Sequence, residues 1–436
     1  MSGQVVSLEQ YTFDNHDYIA LQEAEAREYT TKALRALLER LAQSSPFYQR
    51  KFQSAGLSPK DFNSLADLAK FPFTTKDDLR KAYPLGIQAV PDREVVRIHS
   101  SSGTTGKPVI IPYTAKDVSD WAMMMARCFA MVGVSREDRV QITPGYGLWT
   151  AGIGFQAGVE RLGAMAVPMG PGNTEKQLQM MMDLKSTVLI GTSSYALLLA
   201  EEVEKRGIRD RIHLRKGIFG SERWSERMRQ RIESELNIET YDIYGLTEIY
   251  GPGIGIDCHC HEGIHYWSDY LYFEIIDPVT GEVLPEGEQG ELVITTLTKE
   301  GAPLLRYRTR DLTAIISGRC SCGSPYPRIQ RIFGRSDDMI KIKGVNIYPG
   351  QIDDVLKKTP GVSSEYQILL TRMEGRDNML LKVEAEAGAD LAEVAKTLCA
   401  NFKKFIGIVI DVEAYPIGRL PRSEKKSKRV IDERDQ

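Results

Sequence analysis

An α/β fold with a smaller α+β unit at its C-terminus follows from three features of this sequence. Short apolar runs at 140–143, 188–192, 217–220 and 240–244 alternate with stretches of helical spacing, the order that builds parallel sheets covered by helices. From Leu271 the text turns β-rich, with YFEIIDP and GELVITTL separated by the turn VTGEVLPEGEQ. After the aperiodic linker around 335–338 the chain then reads MIKIKG (strand), 349–358 (helix), YQILLTR and MLLKVEA (strands), 391–405 (helix) and 408–415 (strand). That β-α-β-β-α-β order is the ferredoxin-like split unit.

In chain order, three stretches of helical spacing come first. They lead to HSSSGTTGKPVIIP at 99–112, a loop set between the apolar runs 95–98 and 109–112. Gly103 and Gly106 free the backbone to aim several N–H groups at one point, and five hydroxyls and Lys107 add donors, as a polyphosphate requires. It is not a Walker A loop, because its spacing is shorter and a strand-like segment follows where a helix should start. Next, Val118, Trp121, Ala122, Met125, Cys128, Phe129 and Val132 recur with the 3.6 period, and Thr114 with Asp117 forms a capping pair, which predicts a helix over 115–132. Its methionines are packing material.

Composition narrows the function classes. A chain of 436 residues with 42% hydrophobic content buries a sizeable core and folds as more than one domain. A net charge of -3 gives no global attraction to nucleic acid or to an anionic membrane. No apolar run is long enough to span a bilayer, and MSGQVVSLEQYTFDNHDY lacks the basic and apolar blocks of a signal peptide, so a cytoplasmic protein is expected. Of 6 cysteines, Cys258/Cys260 and Cys320/Cys322 form tight pairs, which in a reducing compartment point to metal more than to disulfide. Cys128 and Cys399 lie in helical patterns and read as core.

Four further segments follow the cradle in order: GSERW from Gly220, YDIYGLTEIYGPG from Tyr241, RYRTRDL from Arg306 and LPRSEKKSKRV from Leu420. With them the chain resembles the adenylate-forming superfamily and, within it, the phenylacetate-CoA ligase family, over almost its full length. TPGYGLWTAGIGFQAGVERLGA and LTKEGAPLLRYRTRDLT are similar to that family's signatures, and GRSDDMIKIKGVNIYPGQID is the most specific match. The resemblance implies an N-terminal ATP- and acid-binding domain over 1–335, with a β-rich insertion at about 258–322, and a mobile C-terminal domain over 336–436. It also implies a two-step reaction: a carboxylate and ATP give an acyl-adenylate and pyrophosphate, then coenzyme A displaces AMP to give a thioester. The family also contains enzymes that adenylate a deazaflavin coenzyme or load carrier-protein thiols, so the acceptor stays open. The sequence does not show the oligomeric state, although the family likeness points to a homodimer.

Site residues follow from the same resemblance. Ser101, Ser102, Gly103, Thr104, Thr105, Gly106 and Lys107 match the phosphate loop, and Glu248, with Thr247 beside it, matches the carboxylate that holds Mg2+. Ser221, Glu222, Asp242, Ile243 and Tyr244 match the adenine pocket. Asp311, with Arg335 nearby, matches the ribose clamp, and Lys426 matches the lysine that neutralises charge during adenylation. Lys425 stands where the family usually has glycine, which leaves Lys425 and Lys428 as neighbouring alternatives. Asp337 matches the hinge about which the small domain rotates between half-reactions, and Gly344 matches the lining of a pantetheine tunnel. Tyr146, Trp149, Ile153, Phe155, Tyr250 and Pro252 match the pocket for a small aromatic acid, with His265 at its border. Phe155 replaces a common alanine there, and Gln156 and Ala157 replace histidine and tyrosine. The metal-containing branch of the family implies Zn2+ on Cys258, His261, Cys320 and Cys322, while Cys-x-Cys spacing leaves Cys260 and His259 as substitutes.

Overall fold

The computed structural model describes residues 21, 23–101, 107–342, 345–373, 376–423 and 429–434. They form two compact units, one drawn from 1–170, 186–190 and 241–331, the other from 171–185, 191–240 and 332–436.

In the first unit, strand Arg139–Ile142 runs parallel to both Met165–Pro168 and Val188–Gly191. An antiparallel series follows: Glu239–Leu246 pairs with Gly251–Asp257, then come Ile264–Tyr266, Arg328–Ile329 and Ile315–Ile316. The sequence reads 240–244 as one more strand of a parallel alternation. The strand also pairs antiparallel with 251–257, which Gly251, Gly253 and Gly255 disguise as a loop. The β-rich stretch forms the antiparallel strands Leu271–Ile276, Gly290–Thr296 and Tyr307–Thr313.

Helix Ala115–Met131 starts at the expected capping box of Thr114 and Asp117 and buries Trp121, Met125, Cys128 and Phe129. It packs on helix Thr150–Leu162 and on strand Gly251–Asp257. Both neighbours come close only because they lack side chains at the contact. A Cβ on Gly154 would lie 2.2 Å from the Trp121 ring, and one on Gly253 would lie 1.9 Å from Met125 Sδ. Gly253 also has φ +92°, which L side chains rarely adopt.

In the second unit, helices Ser193–Arg206 and Glu226–Leu236 accompany strand Lys216–Gly220. The C-terminal sheet has the order Asp411–Pro416, Arg376–Ala385, Val362–Met373, Val430–Asp432, with helices Pro349–Lys357 and Leu391–Phe405 packed in one core around Ile352, Ile368, Leu381, Leu398 and Phe402. The element order matches the sequence reading, but the sheet's membership differs. Ile340–Ile342 turns back on Val345–Ile347 as a separate ribbon, and Val430–Asp432 takes the edge beside Val362–Met373 in parallel. The unit boundary also differs from a cut at 335/336, since 171–185 and 191–240 group with the C-terminal part. Polar ties account for part of this. Arg227 donates to the carbonyls of Thr359 (2.9 Å), Lys357 (3.2 Å) and Val362, and Arg223 pairs with Asp353 at 2.6 Å.

Gly253→Ala should cost about 2 to 4 kcal/mol, from overpacking plus a strained φ. In urea denaturation, Met125→Ala should recover part of that loss when combined with it, since the contact goes and the φ strain stays. Strict additivity of the two changes would contradict the packing account.

Candidate active site

Strand Glu239–Leu246 and the turn after it carry most of the expected nucleotide-site residues of the first unit. The Asp242 backbone N–H donates to Asp257 Oδ1 (2.8 Å), which fixes the strand's start. Two positions on, the Tyr244 hydroxyl donates to Asp311 Oδ2 at 2.6 Å, joining this strand's aromatic ring to a buried carboxylate on Tyr307–Thr313. The turn then sets Thr247 Oγ1 3.2 Å from Thr150 Oγ1 and buries Glu248, whose Oε1 lies 3.2 Å from Lys76 Nζ. A carboxylate and a hydroxyl side by side are hard oxygen donors of the kind Mg2+ takes. Ser101 closes the base of the cradle: its N–H donates to the Val109 carbonyl and its Oγ accepts from Val109 N, both at 3.0 Å. Lys107 lies over the Tyr83 ring at 5.5 Å.

Below this turn is a charged group that motif reading passes over. Lys299 is fully buried, its ammonium between the rings of Tyr113 (4.4 Å) and Tyr250 (4.6 Å), donating to the carbonyl of Ile249. Burial pushes it down from 10.5 to about 7, against the pull of Asp117 and Glu248.

Aromatic residues cluster next to it. Tyr113 stacks on Trp121 at 5.7 Å, His99 meets both edge-on, and Trp121 and Tyr113 donate to the carbonyls of Pro252 (2.8 Å) and Tyr250 (2.9 Å). Of the expected acid-pocket residues, Tyr250 and Phe155 are buried, Tyr146 and Ile153 half-buried, and Trp149 is 45% exposed. Ile153 and Phe155 lie on helix Thr150–Leu162, two residues and so about 200° apart, so one helix face does not present both. Tyr113, Trp121 and His99 were not in the expected pocket. Their periodic or strand-like settings mark them only as core.

The cysteine pairs close on one point. Cys258, Cys320, Cys322 and His265 bring their ligand atoms within 4.8 Å of one another. Cys258 Sγ is 3.6 Å from Cys320 Sγ, and Cys322 Sγ is 3.4 Å from His265 Nε2. Thiolates about 2.3 Å from a central zinc stand about 3.8 Å apart at tetrahedral corners, so the set fits zinc. His265 Nδ1 meets the Tyr326 carbonyl (2.9 Å), which leaves Nε2 for an ion, and the Ser324 N–H donates to Cys322 Sγ (3.4 Å). This corrects two expectations. His261 was expected as the fourth ligand, but a turn with φ +52° directs it to Asp257 (3.0 Å) and the Tyr241 ring. His265 was expected at the acid pocket, but strand Ile264–Tyr266, paired on both sides, delivers it to the thiols.

Comparison with known proteins now decides the family. Residues 16–298 match the AMP-binding enzyme family and 344–434 match the AMP-binding enzyme C-terminal domain. The phenylacetate-coenzyme A ligase of Pseudomonas putida is 44% identical over 416 residues, covering 94% of each chain. The one from Escherichia coli (strain K12) is 43% identical over 420 residues, covering 94% of this chain and 95% of its own. The chain belongs to the phenylacetate-coenzyme A ligase family of AMP-binding enzymes. A crystal structure of 2-hydroxyisobutyryl-CoA ligase in the postadenylation state, with 2-HIB-AMP, is 30% identical with a TM-score of 0.86, covering 95% of this chain and 91% of that one.

The ligase-family residues expected in the second unit have structural partners of their own. Ser221 holds φ +70°, and the Glu222 carboxylate accepts from Ser193 Oγ (3.0 Å) and Ser194 N (2.7 Å) at the start of helix Ser193–Arg206. Arg335 donates to both oxygens of Asp337, at 2.9 and 3.0 Å, a fork between the residues expected at the ribose clamp and at the hinge. Ser102, Gly103, Thr104, Thr105, Gly106, Gly344 and Lys426 lie outside the described residues. No helix among the described residues is long and apolar enough to cross a membrane.

Lys299 carries a pH-dependent consequence. Between about pH 7 and 10.5 the unfolded chain keeps a proton on this lysine that the folded chain has shed, so the penalty for burying it shrinks and stability increases as pH rises. Relative to Lys299→Met, the unmodified chain should gain up to about 1 kcal/mol of unfolding free energy per pH unit above 7. Denaturation at pH 7, 8 and 9 measures it, and a difference that is flat with pH would show that Lys299 does not titrate in this range.

Proposed function

We propose that this chain is an ATP-dependent, AMP-forming ligase that joins an aryl or arylacetyl acid to coenzyme A. The acid carboxylate attacks the α-phosphate, releasing pyrophosphate and leaving an acyl-adenylate. The thiol of coenzyme A then attacks the acyl carbon and AMP leaves. The observation that carries this reading is 44% identity to a phenylacetate-coenzyme A ligase along 94% of both chains.

The residues have consistent parts to play. Asp311 accepts the ribose hydroxyl protons, and the Tyr244 hydroxyl bonded to it orients that carboxylate while its ring offers a face to adenine. Glu248 and Thr247 would hold Mg2+, whose charge would neutralise phosphate oxygens. Lys107 and the loop begun by Ser101 bind the polyphosphate, and Lys426 neutralises the α-phosphate as it is attacked. Little covalent help is needed in such a transfer, so positioning dominates. Tyr146 and Tyr250, with the aromatic cluster behind them, suit a flat acid, with phenylacetate the leading candidate. One methylene more or less in such a pocket is worth about 10- to 200-fold, so neighbouring aromatic acids should fall within that range of each other.

Pyrophosphate release over a panel of phenylacetate, benzoate, indoleacetate and octanoate, with and without coenzyme A, tests the reading. The expected result is an aromatic acid as best substrate and acyl-CoA formed only with coenzyme A present. Octanoate outperforming all three aromatic acids, or AMP release unaffected by coenzyme A, would refute it.

For the cysteine cluster the proposal is structural zinc on Cys258, His265, Cys320 and Cys322, which would join the end of strand Gly251–Asp257 to the loop at 318–324. Elemental analysis should find one zinc per chain in the purified protein. His265→Ala should lower both zinc content and melting temperature, and His261→Ala should lower neither zinc content nor occupancy after dialysis. Zinc lost from the His261 variant and kept by the His265 variant would reverse the ligand choice.

A further inference from the structure

Lys299 is a buried charge to which the proposed reaction gives no part. Its side chain has no exposed surface, and its ammonium lies 4.4 Å from the Tyr113 ring and 4.6 Å from the Tyr250 ring. Burying an ammonium is costly where an apolar side chain could fill the same space, so packing alone does not account for it.

What the ammonium holds is a turn. The Ile249 and Tyr250 N–H groups both donate to the Leu246 carbonyl, at 3.1 and 3.3 Å, which closes the chain around Thr247 and Glu248. The exit of this turn presents two consecutive carbonyls, and each has a donor of its own. Ile249 accepts from the Lys299 ammonium and Tyr250 from the Tyr113 hydroxyl at 2.9 Å. Glu248 is the residue just before the first of them.

The two donors share one anchor. Asp117 accepts from the Thr114 N–H (3.0 Å), one residue after Tyr113, and from the Glu300 N–H (2.8 Å), one residue after Lys299. A single carboxylate therefore fixes the backbone beside both donors, and the attraction of the ammonium to the Tyr113 ring joins their side chains. All of these residues belong to the first unit.

Glu248 is the group for which such a hold matters. It is buried, and its Oε1 takes no hydrogen bond among the described residues, with Lys76 Nζ 3.2 Å away as its ion-pair partner. Mg2+ demands near-octahedral geometry from the few carboxylate and phosphate oxygens it takes, so a carboxylate that serves it has to point in a fixed direction. The backbone of the turn sets that direction.

We infer that Lys299 is a positioning residue for Glu248, acting through the Ile249 carbonyl, and that Tyr113 supports the same turn through the Tyr250 carbonyl. This role rests on the proposed ligase reading, with Glu248 as the carboxylate that takes Mg2+ alongside ATP. Loss of a group that orients a metal ligand costs about 10- to 100-fold in metal affinity, so Lys299→Met should weaken ATP binding in the presence of Mg2+ about 10-fold. Binding of ATP in EDTA should stay within about twofold, because an effect that acts through the metal's ligand vanishes when the metal is withheld. A general defect in folding would lower both.

Titration calorimetry of the full chain with ATP, without acid so that no turnover occurs, is run in Mg2+ and in EDTA for Lys299→Met, Lys299→Gln, Tyr113→Phe and Glu248→Gln. Glu248→Gln should lose the gain in affinity that Mg2+ brings, and Lys299→Met should lose most of it. Lys299→Gln keeps an N–H donor for the carbonyl and should recover part, and Tyr113→Phe should show a smaller loss of the same kind. If Glu248→Gln binds ATP in Mg2+ as the unmodified chain does, the metal assignment fails and takes this role with it. If Glu248→Gln loses the Mg2+ effect while Lys299→Met keeps it, or weakens equally in Mg2+ and in EDTA, the positioning role alone is overturned. Should Lys299→Met not fold, the comparison is read from Lys299→Gln and Tyr113→Phe, and unchanged affinity in Mg2+ for both overturns the role.

Discussion

The first unit's site depends on one buried carboxylate. Asp117 has no exposed surface, and it accepts from three backbone N–H groups: Thr114 (3.0 Å), which opens its own helix, and Glu300 and Gly301 (both 2.8 Å), which follow strand Gly290–Thr296. A carboxylate held by that many donors is costly to leave unpaired, so helix start and strand exit are locked together. The lock sets the direction of Lys299, one residue before Glu300. From there the ammonium passes between Tyr113 and Tyr250 and reaches the Ile249 carbonyl, beside Glu248. Asp117 and Glu248 both favour the charged form of this lysine against its burial, so the helix cap and the acid of the site act on the same buried group.

Two further constraints hold the frame around this chain. Helix Ala115–Met131 lies close to strand Gly251–Asp257 because Gly253 leaves room for Met125, and that contact brings Trp121 to the Pro252 carbonyl. On the strand side, Arg306 forms a fully desolvated pair with Glu274 (3.0 Å) and also donates to the carbonyls of Ala69 (2.8 Å) and Phe71 (3.0 Å). Breaking such a pair from one side leaves a buried charge, at about 3 to 5 kcal/mol. It anchors the strand whose next residues deliver Asp311 to Tyr244.

Much of this was legible in the sequence where the signal is local. Helix Ala115–Met131 was readable to its capping pair, because period and cap lie within one stretch of chain. The Tyr244 and Asp311 motifs were readable as letters, and their hydrogen bond follows once two strands align. Long-range pairing was not readable. Gly251–Asp257 hides among glycines, and nothing in MIKIKGVN says that it will pair with itself while residues 430–432 take the sheet edge. The choice between His261 and His265 turns on a single left-handed residue, which spacing does not reveal. Lys299 stood in plain view within LTKEG, but a lysine's full burial depends on residues distant in sequence, here Tyr113 and Tyr250.

Glu248 ties these points to function. Of the two lysines near it, Lys299 is fully buried and holds it only through the neighbouring carbonyl, whereas Lys76 pairs with it directly from a side chain that is 42% exposed. An ion pair with so exposed a partner is weak, about 0 to 1 kcal/mol, and its ammonium is readily taken up by water. On the proposed ligase reading, the contact to be given up when Glu248 takes its metal is therefore the cheap one. Lys299, buried beside it, keeps its bond to the Ile249 carbonyl while that direct partner is exchanged.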